Sequence, residues 1–137
     1  MSVIVVDAGP LYAAFDQDDR FHEPAVRLIR DNGDRLVTNL PVISEVTHLL
    51  GRSRRTRLEF LGWAAAALMI DEATVGDLPR IIALLEKYRD LRPDFADASL
   101  VALCERLGTR RIASVDRDFK IYRTLSRKPF NNVFNVD

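Results

Sequence analysis

Short runs of apolar, β-forming residues alternate in this chain with segments whose apolar residues recur at helical spacing. Residues 3–6 are continuously apolar, as expected of a strand covered on both faces of its sheet. The predicted strands cover residues 2–6, 35–38, 68–71, 111–115 and 133–136. The predicted helices cover residues 20–31, 41–51, 55–67, 77–90 and 94–108. This alternation predicts an α/β fold with a mostly parallel sheet and helices on both faces.

The length of 137 residues, with short loops and no linker, predicts one domain over residues 1–137. Cys104 is the only cysteine, so an intramolecular disulfide is excluded, and a buried structural thiol is expected in a reducing compartment. The N-terminus lacks the pattern of a secretion signal. The longest apolar run, residues 60–70, is shorter than the ~20 residues that span a bilayer. These features predict a cytoplasmic protein without a membrane segment.

Charge is balanced overall but unevenly distributed. Lysine plus arginine and aspartate plus glutamate each number 20, so the net charge is zero. Residues 7–34 hold seven acidic residues against three arginines, whereas residues 106–128 hold eight basic residues against two aspartates. The basic segment is consistent with a nucleic-acid-binding face, and the same distribution is consistent with two solvated surfaces.

Four carboxylates occupy positions that folding stability alone does not explain. Asp7 and Asp116 each follow an apolar run, and ligands collect at the carboxyl ends of parallel strands. Glu45 and Asp97 lie on the apolar stripes of two predicted helices. Carboxylates are seldom buried without compensation, and several at one place repel one another unless a cation lies between them. The pattern predicts a metal-dependent active site.

Asp7 and Glu45 each have a simpler interpretation. Residues 8–11 read as a turn, so Asp7 could be the Asx-turn residue that closes the first strand. Glu45 shares its stripe with Val42, Val46 and Leu49, and an arginine partner or an edge position would also account for it. We favour the functional interpretation for Glu45.

The later acids also have structural alternatives. Asp97 could be a first-turn acid stabilised by the helix dipole, with Asp94 as the N-cap and an accessory metal ligand. Either Asp116 or Asp118 could form a turn, and Asp116 is placed in the cleft because it directly follows the strand. Ser114 is a candidate hydrogen-bonding partner for a ligand or water at the site.

The motifs in order resemble the PIN-domain nucleases, and among them the VapC-type toxins of bacterial toxin–antitoxin pairs. The resemblance covers essentially the whole chain in order, spacing and length. It is carried by Asp7-Ala8-Gly9-Pro10-Leu11, Ser44-Glu45-Val46, Phe95-Ala96-Asp97-Ala98-Ser99-Leu100 and Ser114-Val115-Asp116-Arg117-Asp118-Phe119. Ser114 stands where many members have threonine, which preserves the hydroxyl.

This resemblance implies a three-layer α/β/α sandwich that cleaves single-stranded RNA with Mg²⁺, or Mn²⁺ as a substitute. The implied catalytic residues are Asp7, Glu45, Asp97 and Asp116. All-oxygen ligands suit such hard cations. We expect Asp7 and Asp97 to bind the metal directly, and Glu45 and Asp116 directly or through water.

The resemblance also implies a small cognate antitoxin, which we expect to place an arginine near Asp7 and Asp97. Its apolar segment would lie against helices of the N-terminal half, around Leu11, Phe15, Leu49, Leu50 and Leu61, unless these side chains simply form the core. The cluster Arg52, Arg54, Arg55 and Arg57 is a candidate RNA contact or a solvated loop. A homodimer is one candidate assembly.

Three other functions would use the same acidic residues differently. A phosphoryl-transfer enzyme would use Asp7 as nucleophile, but the Asp-x-Asp pattern is absent because position 9 is glycine. A non-enzymatic binding domain would use its acids only as caps and turns. A housekeeping PIN-type nuclease would need no antitoxin.

Overall fold

The computed structural model describes residues 2–135, apart from the side chain of Asp34. Five strands form one sheet in the order β3-β2-β1-β4-β5, and every neighbouring pair is parallel. The strands are β1 (Ile4–Val6), β2 (Leu36–Asn39), β3 (Met69–Asp71), β4 (Arg111–Ala113) and β5 (Asn131–Asn132). From β1 the chain moves outward to β2 and β3 and then returns to β4 on the other side. The switch point, where α/β sheets bind ligands, therefore lies between β1 and β4.

Six helices flank the sheet and complete the predicted three-layer architecture. They are α1 (Ala8–Ala14), α2 (His22–Asn32), α3 (Leu40–Leu49), α4 (Arg54–Ala67), α5 (Leu78–Lys87) and α6 (Phe95–Leu107). Short 3₁₀ helices cover Gly33–Arg35, Thr74–Asp77, Arg89–Leu91 and Arg117–Lys120. Helix α1 packs against α2 and α3, whereas α5 packs against α6. None of the described helices is long and apolar enough to cross a membrane.

The core is built from β1, β4 and α6. All three residues of β1 are buried, and α6 buries every residue from Ser99 to Cys104. Cys104 is fully buried, as predicted for a structural thiol. An aromatic group of Phe15, Phe60 and Trp63 joins the end of α1 to α4. The side chains that surround α6 thus hold the helix that carries Asp97.

Two predicted segments are wrong. Residues 8–11, interpreted as a turn, begin helix α1, because Asp7 caps the helix and Pro10 lies in its first turn, where no intrahelical donor is lost. The predicted fifth strand at residues 133–136 is instead the asparagine pair of β5, and Val136 lies outside the described residues. Backbone N–H groups of Asn131 and Val133 pair with carbonyls of Arg110 and Ile112, so the edge strand forms through its backbone rather than through apolar alternation.

Candidate active site

Asp7 lies at the end of β1, facing the switch point. Its Oδ1 accepts a hydrogen bond of 2.7 Å from the backbone of Ala8, which caps α1, and its Oδ2 accepts one of 2.8 Å from Ser114 Oγ. Its own N–H donates to the Ala113 carbonyl of β4. The residue is only 5% exposed. The cap and the neighbouring strand therefore fix the Asp7 carboxylate in a buried position.

Asp116 is held beside it by the segment that follows β4. Its backbone N–H donates to Ser114 Oγ at 2.9 Å, and its Oδ1 accepts from the Asp118 N–H at the start of a 3₁₀ helix. Ser114 is buried, and Asn132 of β5 hydrogen-bonds both its N–H and its carbonyl. Ser114 was predicted to meet a ligand or water; in the structure its hydroxyl joins Asp7 to Asp116.

Asp97 and Asp94 form a reciprocal cap at the start of α6. The Asp97 N–H donates to Asp94 Oδ1 at 2.8 Å, and the Asp94 N–H donates to Asp97 Oδ2 at 3.2 Å. The prediction that Asp94 is the N-cap is confirmed. This capping box uses one oxygen of Asp97 and leaves its Oδ1 without a hydrogen bond among the described residues.

Glu45 has no such local bond. It lies on α3 between the fully buried Val42 and Val46, and its Oε2 is buried without a hydrogen-bond partner in the described part of the chain. No arginine pairs with it in residues 2–135, which removes the ion-pair interpretation. A buried carboxylate oxygen without a partner costs free energy, so its retention needs a reason outside local stability.

Asn39 and Ser99 set the spacing between the helices of Glu45 and Asp97. Asn39 caps α3 by accepting from the Val42 N–H, and its amide donates to Ser99 Oγ of α6 at 3.0 Å. Ser99 in turn donates to the Ala96 carbonyl. All three hydrogen bonds are buried. These residues position two functional side chains; Ser99 belongs to the motif around Asp97, whereas no sequence pattern marks Asn39.

Burial and mutual repulsion make the carboxylates difficult to ionise together. Burial, followed by repulsion from neighbouring acids, raises the pKa of Asp7 to about 6, that of Glu45 to about 7 and that of Asp97 to about 8. Burial also raises the pKa of Asp116. The repulsion on each of these groups includes Asp94, so the five acids share one electrostatic environment. Perturbed carboxylates grouped in a cleft are typical of functional sites.

The side chains do not enclose a metal ion as they stand. Among residues 2–135, no group of three or more acidic, histidine or cysteine side chains is arranged to hold one. Asp7, Asp97 and Asp116 are each held by an N–H of their own segment, and repulsion favours their separation. Free acceptor oxygens nevertheless remain on Glu45, Asp97 and Asp116 among the described residues.

Tyr122 is a neighbour of the site that sequence reasoning missed. Its ring is buried between Phe119 and Tyr88, and its hydroxyl has no partner in the described part of the chain. Burial, followed by the charges of Asp97 and Asp116, raises the pKa of Tyr122. The only signal in the sequence is an aromatic residue six positions after Asp116.

The chain is similar to a known protein family and to two characterised proteins. The family model of the PIN domain matches residues 4–125. Ribonuclease VapC26 of Mycobacterium tuberculosis is 26% identical over 117 residues, which cover 83% of this chain and 87% of that protein. The crystal structure of VapC20 from the same species, described as a sarcin–ricin loop cleaving toxin, matches with a TM-score of 0.80 and 21% identity. That match covers 92% of this chain and 99% of VapC20, and it shows a shared fold.

Proposed function

Because this chain belongs to the PIN-domain family, we propose that it is a metal-dependent endoribonuclease that cleaves single-stranded RNA as the toxin of a toxin–antitoxin pair. The observation that carries the proposal is the unpaired, buried Oε2 of Glu45 beside three other carboxylates. A domain whose acids were only caps and turns would account for Asp7, Asp97 and Asp116, each of which accepts a capping hydrogen bond. It would not account for Glu45.

The donor set fits a hard divalent cation. All the donors are carboxylate oxygens, three of the acids keep an oxygen free, and a cation would relieve the repulsion that raises their pKa values. We assign Asp7 and Asp97 as direct ligands of Mg²⁺ or Mn²⁺. Glu45 and Asp116 would bind it directly or through water, with Asp94 as an accessory ligand.

In the proposed reaction, water attacks the phosphorus of a phosphodiester, the P–O bond to the leaving nucleotide breaks, and the departing oxygen takes a proton from solvent. The bound cation would lower the pKa of water and stabilise charge on the phosphate oxygens. Glu45 or Asp116 accepts the proton of the attacking water, because each keeps an oxygen free of hydrogen bonds among the described residues. Ser114 and the Ala8 N–H hold the Asp7 carboxylate in place. Each Asp7 oxygen accepts one hydrogen bond and keeps a second lone pair for the cation.

The test compares wild type with Glu45→Gln on defined RNAs, with Mn²⁺ and with EDTA. One RNA should be unstructured, and one should carry the sarcin–ricin loop, because that loop is the described target of VapC20. Wild type should cleave at least one RNA only with Mn²⁺, and Glu45→Gln should lose most of that activity. Glu86→Gln, on an exposed position of α5, is the matched control. An active Glu45→Gln variant would contradict the proposal.

The proposed antitoxin would silence the cleft with an arginine, whose planar fork pairs with carboxylates. Fewer of the predicted apolar side chains are exposed to the antitoxin than the sequence predicts. Leu11 is fully buried in the core, whereas Leu49 and Leu61 are 46% and 39% exposed, and Leu58, one turn before Leu61 on α4, is 51% exposed.

Co-expression with the neighbouring open reading frame tests the partner. The two proteins should co-purify, and the complex should cleave RNA more slowly than the free chain. Light scattering of the free chain would report whether it is a homodimer. If the complex cleaves as fast as the free chain, a housekeeping PIN-type nuclease is the better description.

A further inference from the structure

A small cavity lies beside the carboxylates, at the carboxyl end of β4. Its volume is about 110 Å³, and Ser114 and Asp116 contribute to its wall. Three cationic side chains also line it: Arg20 from the loop before α2, and Arg117 and Lys120 from the 3₁₀ helix after β4. The cavity therefore adjoins the acidic site but carries the opposite charge.

All three cations are exposed, and no described carboxylate holds them. None of the three forms an ion pair in residues 2–135, where the arginine–carboxylate pairs involve other residues. Their side-chain nitrogens make no hydrogen bond in the same range. Three cations that converge without a partner repel one another, so an anion between them would be stabilised.

Other residues that line the cavity are held by specific contacts. The Arg20 guanidinium lies 4.4 Å from the centre of the Phe21 ring, and Phe21 packs edge-on against Phe134 at 6.3 Å. Asn132, which also lines the cavity, fixes the Ser114 backbone with two hydrogen bonds. The contact with Phe21 thus restrains the exposed Arg20 side chain before any ligand arrives, which reduces the entropy lost on binding.

We propose that this cavity binds an RNA phosphate that flanks the phosphodiester being cleaved. The inference rests on the proposed function, because it takes the scissile phosphate to lie at the carboxylates. RNA carries a phosphate at every nucleotide, and arginine and lysine contacts to phosphates fix the register of a strand. Since Asp116 borders both the acidic site and the cavity, a phosphate held by Arg20, Arg117 and Lys120 sets which neighbouring bond reaches the carboxylates.

Binding is tested apart from cleavage, by fluorescence anisotropy of a single-stranded RNA in EDTA. The double variant Arg117→Gln/Lys120→Gln should bind at least about tenfold more weakly, because it removes two of the three cations that hold the phosphate. Its plot of log affinity against log salt should be shallower by about 0.7 for each phosphate released. Arg27→Gln/Arg30→Gln removes two charges from exposed positions of α2, outside the basic segment 106–128, and should change neither quantity. Equal binding by the double variant and wild type would overturn the inference.

The position is tested by a neutral methylphosphonate placed beside the mapped cleavage position. This linkage should raise the KM of wild type more than that of the double variant, because only Arg20 of the three cations remains there to contact the phosphate. Equal effects on both proteins would place the phosphate elsewhere. If wild type cleaves no RNA, the proposed function fails, whereas normal cleavage with unaltered binding by the double variant overturns only the cavity assignment.

Discussion

The Ser114 hydroxyl donates a hydrogen bond of 2.8 Å to Asp7 Oδ2 and accepts one of 2.9 Å from the Asp116 N–H. One small side chain thus joins the two acids at the switch point of the sheet. Because Ser114 is 1% exposed, it acts through Asp7 and Asp116 rather than on a substrate. The contribution of Ser114 to activity can therefore be measured separately from those of Asp7 and Asp116.

We expect Ser114→Ala to lower kcat/KM by about tenfold, as is usual when a hydrogen bond to a metal ligand is lost. The hydrogen bond from Ser114 lowers the pKa of Asp7, so its removal should also move the acidic limb of the pH–rate profile upward. Ser114→Thr keeps the hydroxyl and should retain most activity. The measurement is kcat/KM from pH 5.5 to 9 with Mn²⁺. Equal losses for alanine and threonine would show that packing, not the hydroxyl, is responsible.

Asp7→Asn keeps the shape of the side chain and its acceptor for the α1 cap but removes the charge. We expect RNA cleavage to fall by orders of magnitude while the circular dichroism spectrum stays native. Asp118→Asn is the matched control, because Asp118 contributes its backbone N–H to Asp116 and should retain most activity. If Asp118→Asn is inactive and Asp116→Asn active, the assignment within that pair is reversed.

The raised carboxylate pKa values predict how stability depends on pH. Between about pH 4 and 8 the folded state holds more protons on Asp7, Glu45 and Asp97 than the unfolded state. The free energy of unfolding contributed by these groups should therefore fall as pH rises through that window. Thermal melts in EDTA from pH 5 to 8.5 should show this decline. A metal-free Tm that rises steadily over this range would contradict it.

Asp97→Asn removes one charge while its side-chain oxygen can still accept the Asp94 N–H. At pH 8 without metal it should melt above wild type, because the repulsion is reduced. A cation at a hundredfold excess over its Kd stabilises wild type by ~2.7 kcal/mol, and the variant should gain less. Differential scanning fluorimetry with and without Mn²⁺ measures both effects. Equal responses to Mn²⁺ would remove Asp97 from the metal site.

Gly9 allows α1 to pass close to the segment that follows β4. A Cβ at Gly9 would overlap Cγ2 of Val115, the residue before Asp116. Gly9→Ala should therefore destabilise the protein by about 1–3 kcal/mol and reduce cleavage. Urea denaturation should show that Val115→Ala in the same chain restores most of the stability.

Gly62→Ala is the control for that experiment, since no atom outside its own helix lies within 4 Å of the added methyl group. It should stabilise α4 by up to ~1 kcal/mol. If Gly9→Ala behaves like Gly62→Ala, the close approach to Val115 does not constrain the site.

The layered fold and the strand ends were predictable because continuous apolar runs identify buried parallel strands. The direction of Glu45 followed from Val42 and Val46, which place it on the buried stripe of α3. Helix α1 was missed because glycine and proline in residues 8–11 resemble a turn, whereas the Asp7 cap decides the local structure. Strand β5 was misplaced because an edge strand of two asparagines has no apolar signal.

Contacts between distant segments explain the rest of what sequence could not show. The Asn39–Ser99 hydrogen bond joins residues 60 positions apart, and the motif that contains Ser99 does not identify Asn39 as its partner. The sequence also could not show which carboxylate oxygens are used by caps. Of the four predicted catalytic acids, only Glu45 accepts no capping hydrogen bond in the described part of the chain.

Cys104 makes the opening of α6 measurable by chemistry. It is the only thiol in the chain, and it is fully buried. Burial also raises its pKa, so the thiol does not react with alkylating reagents while the helix stays packed. Alkylation then proceeds only as fast as α6 transiently separates from the sheet. Asp97 lies two turns earlier on the same helix, and any ligand that engages it should slow the alkylation. A single natural cysteine can thus report site occupancy without a label and without RNA.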